Sequence, residues 1–203
     1  MSSQSFFESY VARFQEALTG TEVWSGKQPV AYGEALDTSR EWLKEAHRLG
    51  RKLMIIGNGG SAGVASHMAI DFWKNGGVRA MTFNDGALLT CISNDISYDE
   101  VFSTPIRQFA DEGDIVACIS SSGNSVNIRN GALAAAEKGC KIITLSGFQP
   151  DNPLRDMGHL NFFVPSHSYG FVETLHQFVL HSILDVKMYL DDKRDVFHKN
   201  SPM

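Results

Sequence analysis

Two short polar turns and two spaced pairs of ligand-type side chains carry the chemistry this sequence offers. The turns are Gly57-Asn58-Gly59-Gly60-Ser61 and Ser120-Ser121-Ser122-Gly123-Asn124-Ser125. Gly59 and Gly60 permit tight backbone angles and let a ligand approach main-chain N–H groups. A helix starting near Ser61 or Ser125 turns its unpaired N–H groups and the positive end of its dipole towards an anion. The serine hydroxyls add donors without adding charge. This chemistry suits a phosphate monoester, with Asn58, Gly59, Gly60, Ser61, Ser120, Ser121, Ser122 and Ser125 as candidate binding residues.

The first pair is His67 and Asp71, four residues apart. On a helix they project from one face and can chelate one ion or share one substrate, although the same spacing also describes an ordinary surface pair. The second pair, Glu173 and His181, is eight apart, about 12 Å along a helix axis. A Glu or His side chain holds a metal about 6 Å from its own Cα, so an ion between them is reached only from both ends. His176 and Gln177 lie between and read as polar groups of a core or an interface.

A rival reading of the first turn is a dinucleotide site, since Gly57-x-Gly59-x-x-Ala62 matches the G-x-G-x-x-A fingerprint. The acidic residue expected at the end of the next strand is poorly met by Asn84-Asp85, and a nucleotide fold gives no reason for the serine turn. Plain helix caps account for Ser61 or Ser125 singly and less well for the shared composition of both turns.

The elements that must position these residues follow from periodicity. Apolar residues recur at helical spacing over 6–18 and 31–49, which predicts two amphipathic helices ahead of the core. Short apolar strands are expected at 52–56, 80–83, 114–119 and 141–145, with one more at 162–164. Helices are expected at 64–73, 88–93, 100–110, 126–138 and 171–190 between and after them. Strands that are apolar throughout and separated by helices belong to a parallel sheet covered on both faces. The last helix is apolar on nearly every side and must be buried in the core or a subunit interface. The organisation expected is helices over 1–50, a core domain over 51–191 that carries the phosphate-type turns and a frayed polar tail over 192–203.

A chain of 203 residues with net charge −5 builds one substantial core and lacks the clustered Lys and Arg that nucleic acid or anionic lipid requires. Residues 1–10 lack the basic start and the apolar stretch expected of a signal peptide, and no apolar window long enough to span a membrane occurs. A cytoplasmic location is expected. Cys91, Cys118 and Cys140 are odd in number and widely spaced in apolar surroundings, which predicts reduced core thiols.

With Asn94-Asp95, Gly113-Asp114 and a final helix carrying Glu173 and His181 added to the two turns, the chain resembles the sugar isomerase (SIS) domain family. Within it, the chain resembles the phosphoheptose isomerase branch, and the likeness runs from Lys52 to the end of the last helix. The resemblance implies a flavodoxin-like three-layer αβα sandwich, α/β in class, with a central parallel sheet and an N-terminal helical extension. It implies a homotetramer built partly from the N-terminal helices, with active sites between subunits. It assigns the phosphate to Ser61, Ser120, Ser121, Ser122 and Ser125, and sugar hydroxyls to Asn58 and Asp95.

In the same branch, four positions reading His, Glu, Gln and His bind zinc, and the Glu and the last His act as base and acid. Here they read His67, Asp71, Glu173 and His181. Asp71 is one methylene shorter than the branch residue, and Glu173 brings a charge where the branch has none. Two carboxylates, two neutral imidazoles and a dication sum to zero, which gives a tighter metal trap and a weaker Lewis acid. Glu173 becomes a second candidate base. The branch's Asp-Arg before the last helix is replaced by Gly170-Phe171, and its Arg after the metal helix falls at Asn75, beside Lys74. The activity implied is aldose–ketose isomerisation of sedoheptulose 7-phosphate or a similar phosphosugar through an enediol. The alternative is a non-catalytic, sugar-phosphate-binding regulator of a protein partner, because fold alone does not decide function.

Overall fold

The computed structural model describes residues 2–197, and the expected tail beyond 197 lies outside the described residues. Helices α1 (Ser3–Thr19) and α2 (Tyr32–Arg48) come first, separated by the strands β1 (Glu22–Ser25) and β2 (Gln28–Pro29). The alternating part follows as β3 (Leu53–Gly57), α3 (Gly60–Lys74), β4 (Ala80–Thr82), α4 (Gly86–Asp95) and α5 (Ser103–Phe109). Then come β5 (Ile115–Ser120), α6 (Val126–Glu137), β6 (Lys141–Gly147), β7 (Leu160–Val164) and α7 (Tyr169–Leu190).

The strands form one sheet in the order β2-β1-β7-β6-β5-β3-β4. From β7 to β4 every neighbouring pair is parallel. Numbered among themselves, these five strands run 2-1-3-4-5, the flavodoxin-like order. The chain steps from β3 outward to β4 and then returns to the other side of β3 as β5, so the loops leaving β3 and β5 diverge and open a crevice at their carboxyl ends.

Both faces of this sheet are covered, as its apolar strands demand. Along β3 and β5 the alternate residues Leu53, Ile55, Ala117 and Ile119 pack under α2, α3 and α7. Met54, Ile56, Val116 and Cys118 pack under α5 and α6 on the opposite face. The N-terminal helix α1 docks on the start of α7, where the rings of Tyr10 and Phe14 meet Phe171 edge-on at 4.6 and 5.5 Å.

Several expectations need correction. The hairpin β1–β2 lies between the two N-terminal helices, where no strand was expected, and it pairs antiparallel with β7, so the sheet is mixed. Its turn is the two-residue loop Gly26-Lys27, with φ +57° at Gly26, and Pro29 sits on the outer edge strand where its missing N–H is harmless. The helix expected over 100–110 is split into a 3-10 turn, Tyr98–Glu100, and α5. Asp85 caps α4 by accepting from the N–H groups of Ala87 and Leu88, which gives it a structural task instead of a ribose. Cys91 is exposed on α4, whereas Cys118 and Cys140 are buried as expected. The described start of the tail is tied down, since Arg194 donates to the Asn75 carbonyl at 2.6 Å.

Candidate active site

The two turns meet at the crevice between β3 and β5. Gly57, Asn58 and Gly59 leave β3, and a Cβ on Gly57 would collide with the Ser61 carbonyl, so the first turn of α3 folds back on the strand end only because Gly57 is bare. Gly59 occupies the N-cap of α3 at φ +54°, which leaves no side chain bonded to the first N–H groups of the helix. Ser125 at the N-cap of α6 likewise makes no capping bond; its Oγ accepts from Ser120 Oγ at 3.2 Å. Two uncapped helix starts therefore face one cleft, the arrangement that favours an anion.

That cleft is a cavity of about 340 Å³ lined by both turns together with Tyr169 and Glu173 of α7. No Lys or Arg is among its described lining residues. Ser61, Ser120 and Ser121 are buried, and the Ser121 hydroxyl has no hydrogen-bond partner. Behind the serine turn, Gly123 at φ +65° lies against Asn152, whose side chain would overlap any Cβ there, while the Gly123 carbonyl accepts from Leu154 N–H.

Asn58 is locked by neighbours that the sequence reading did not single out. Its amide exchanges two hydrogen bonds with the buried amide of Asn127 on α6, at 2.8 and 3.0 Å, and its Oδ1 also accepts from Tyr98 OH at 3.1 Å. The reciprocal pair ties the β3 turn to α6 across the crevice. Asn127 follows Ser125 by two residues, and that proximity was its one signal in the sequence. Asp95 is exposed at the end of α4, takes a bond from Asn94 Nδ2 at 2.8 Å, and is not part of the cleft lining.

Further along α3 lies the second group. His67 Nε2 is 3.2 Å and His181 Nε2 is 3.8 Å from the same oxygen, Asp71 Oδ2. The two imidazole rings are 5.7 Å apart, and the three ligand atoms all lie within 4.8 Å of one another. Asn75 steadies the other Asp71 oxygen by donating to Oδ1 at 3.2 Å. Two imidazole nitrogens and one carboxylate oxygen converging in this way fit the donor set of a divalent metal such as zinc. Asp185, one turn beyond His181, has its carboxyl pushed up by burial, an effect that Asp71 reinforces and His181 opposes.

Glu173 does not join them. Helices α3 and α7 run side by side in the same direction, with Glu173 beside Gly60 and His181 beside Asp71. The eight-residue gap on α7, about 12 Å, therefore stays open instead of closing on one ion. A Cβ on Gly60 would overlap the Glu173 carboxylate, so this group rests against the backbone at the start of α3. His176 faces the sheet, fully buried, with Nε2 donating to the Ser146 carbonyl at 3.1 Å. Burial pushes its pKa down to about 4 despite that bond, so it is a neutral core group, as the sequence suggested.

A larger cavity, about 870 Å³, lies between α2 and the end of α7. Its cations Lys44, Arg48 and Lys187 are already paired with Glu41, Glu45 and Asp192, and Arg194 donates to the Asn75 carbonyl, so it offers a ligand no comparable donor set.

With a switch-point cleft of glycines and serines in place, the comparisons with known proteins decide the family. The SIS domain model matches residues 31–147, more than half of the chain. The chain belongs to the SIS domain family. Among curated SIS proteins, the phosphoheptose isomerase of Geobacter sulfurreducens is 36% identical over 152 residues, covering 72% of this chain and 80% of that protein. The phosphoheptose isomerase of Pelobacter propionicus is 34% identical over 150 residues, covering 71% and 79%. The solved structure of the phosphoheptose isomerase from Neisseria gonorrhoeae superposes with a TM-score of 0.77 at 27% identity, covering 92% of this chain and 99% of that one. The Francisella tularensis phosphoheptose isomerase, at 22% identity and a TM-score of 0.79, shares the fold.

Proposed function

We propose that this SIS protein is an aldose–ketose isomerase acting on a phosphosugar of the sedoheptulose 7-phosphate type. The curated relatives named phosphoheptose isomerase support that substrate class. The observation that carries the reading is the double use of α3: it opens the phosphate cleft at Gly60 and, two turns on, brings His67 and Asp71 to His181 of α7. A phosphosugar anchored by its phosphate among Ser61, Ser120, Ser121, Ser122 and Ser125 extends its chain towards a place where protons can move.

In this mechanism Asp71, or Glu173 from the cleft side, takes the proton next to the carbonyl, and His181 returns one to the neighbouring position. Asn58 and Asp95 contact sugar hydroxyls. His67, Asp71 and His181 would hold a divalent metal, zinc by donor type, with Glu173 completing the set after a side-chain movement. When bound, such an ion polarises the carbonyl and hydroxyl oxygens of the sugar. The single chain leaves part of the His67 and His181 surroundings open, and the apolar residues Phe6, Phe7 and Val11 exposed on α1 support an assembly, a tetramer, through the N-terminal helices. Among the described residues no helix is long and apolar enough to cross a membrane, and the three cysteines are unpaired, which supports a reducing, cytoplasmic setting.

The direct test is an NMR isomerisation assay on sedoheptulose 7-phosphate with the zinc-supplemented protein. Turnover that disappears in Asp71→Ala is expected; no turnover in the parent protein, with binding of the phosphosugar retained, would favour a non-catalytic sensor. Such a sensor gives no reason for two imidazoles to converge on one carboxylate, at 3.2 and 3.8 Å, beside the cleft.

A further inference from the structure

Glu173 places a negative charge inside a cleft built for anions. Its carboxylate lies against Gly60, at the first turn of α3, where any Cβ would overlap it. That helix has no side-chain cap at Gly59 and no acidic residue in its own first turn, so the electrostatic preference of its start is met from α7 instead. The cleft has no Lys or Arg among its described lining residues to offset the charge. In the same cavity the Ser121 hydroxyl, on a residue only 6% exposed, has no partner and awaits a ligand oxygen.

We propose that Glu173 is a built-in competitor for the substrate phosphate and thereby sets the affinity of the cleft. The inference rests on the phosphosugar reading of this site and deepens it. A phosphate and a carboxylate cannot both occupy the start of α3, since like charges at contact distance in a partly buried cleft repel strongly. The phosphosugar enters only as Glu173 leaves Gly60. The displaced side chain is then free to take up a role further into the site, so phosphate anchoring and the release of Glu173 are one event. A glutamine at this position keeps the shape of the side chain and removes the repulsion.

The test is calorimetric titration of inorganic phosphate, and of sedoheptulose 7-phosphate, into the full chain and into Glu173→Gln. Chelator-treated protein is used throughout, so that changes in metal retention do not enter. Glu173→Gln is expected to bind inorganic phosphate about tenfold more tightly than the parent, the size of a partly buried charge effect at a helix start. Ser121→Ala is expected to bind it more weakly. Equal or weaker binding by Glu173→Gln would overturn the proposal while leaving the cleft's assignment intact. If parent and variant bind neither ligand, the assignment of the cleft itself fails. Should Glu173→Gln lose the far-UV signal of the fold, Glu173→Ala takes its place with the same expected gain.

Discussion

The cleft between β3 and β5 and the cluster beside it share α3 and α7 but are built by opposite means. The cleft uses backbone N–H groups, glycines and hydroxyls, with Glu173 as the one formal charge among its described lining residues. The cluster uses His67, Asp71 and His181, all titratable, with the two imidazoles 3.2 and 3.8 Å from the Asp71 carboxylate on neighbouring helices. Neutral donors on a rigid turn recognise a fixed anion at little reorganisation cost, whereas moving protons or gripping a cation requires side chains that change charge. The difference predicts that binding and chemistry can be disabled separately.

The largest separation is expected for Asp71→Ala. Isomerisation should fall by about a thousandfold, the middle of the range for losing a positioned acid–base group, while the thermal shift produced by sedoheptulose 7-phosphate stays near that of the parent. A parallel fall in the phosphosugar-induced shift would merge the two regions into one.

A buried histidine on α7 extends the comparison to stability. His176 is buried and neutral with its pKa lowered to about 4, so the unfolded chain binds a proton more readily than the folded one between about pH 6.5 and 4. Stability from this residue is complete above pH 6.5 and falls as pH drops through that window, by about 3 kcal/mol in all. Urea denaturation across the window should show the slope in the parent and a flatter one in His176→Gln.

Next in size is the response to chelation. Removal of divalent metal should abolish turnover and leave binding of inorganic phosphate within about twofold, because the cleft donors do not include the cluster. The smallest expected effect belongs to Ser121→Ala: a loss of about 1 kcal/mol in phosphosugar affinity, the value of one hydrogen bond, with an unchanged melting temperature. It sharpens the contrast, because the Ser121 hydroxyl bonds to nothing in the folded chain.

Much of the scaffold was legible because its signals are local. Apolar runs such as Met54-Ile55-Ile56 mark buried parallel strands, and the glycine and serine turns mark the strand-to-helix junctions whose backbone angles and donors they supply. The hairpin at 22–29 was not legible: β1 has just four residues and is stabilised by pairing with β7, far away in the chain. Asn127 was missed for a similar reason, since one asparagine in a helix carries no pattern until Asn58 faces it. Cys91 was misplaced because apolar neighbours on a short helix do not reveal which side meets solvent.

By itself the sequence determined the α/β class, the two anion-type turns and the pairing of His67 with Asp71, all set by spacing within a few residues. Tertiary structure alone decided which distant groups share a site. The parallel course of α3 and α7 brings His181 to Asp71, and the same geometry holds Glu173 a full eight residues away, against Gly60. One-dimensional spacing fixes the distance between two groups on a helix, but the helix packed beside it selects their partners.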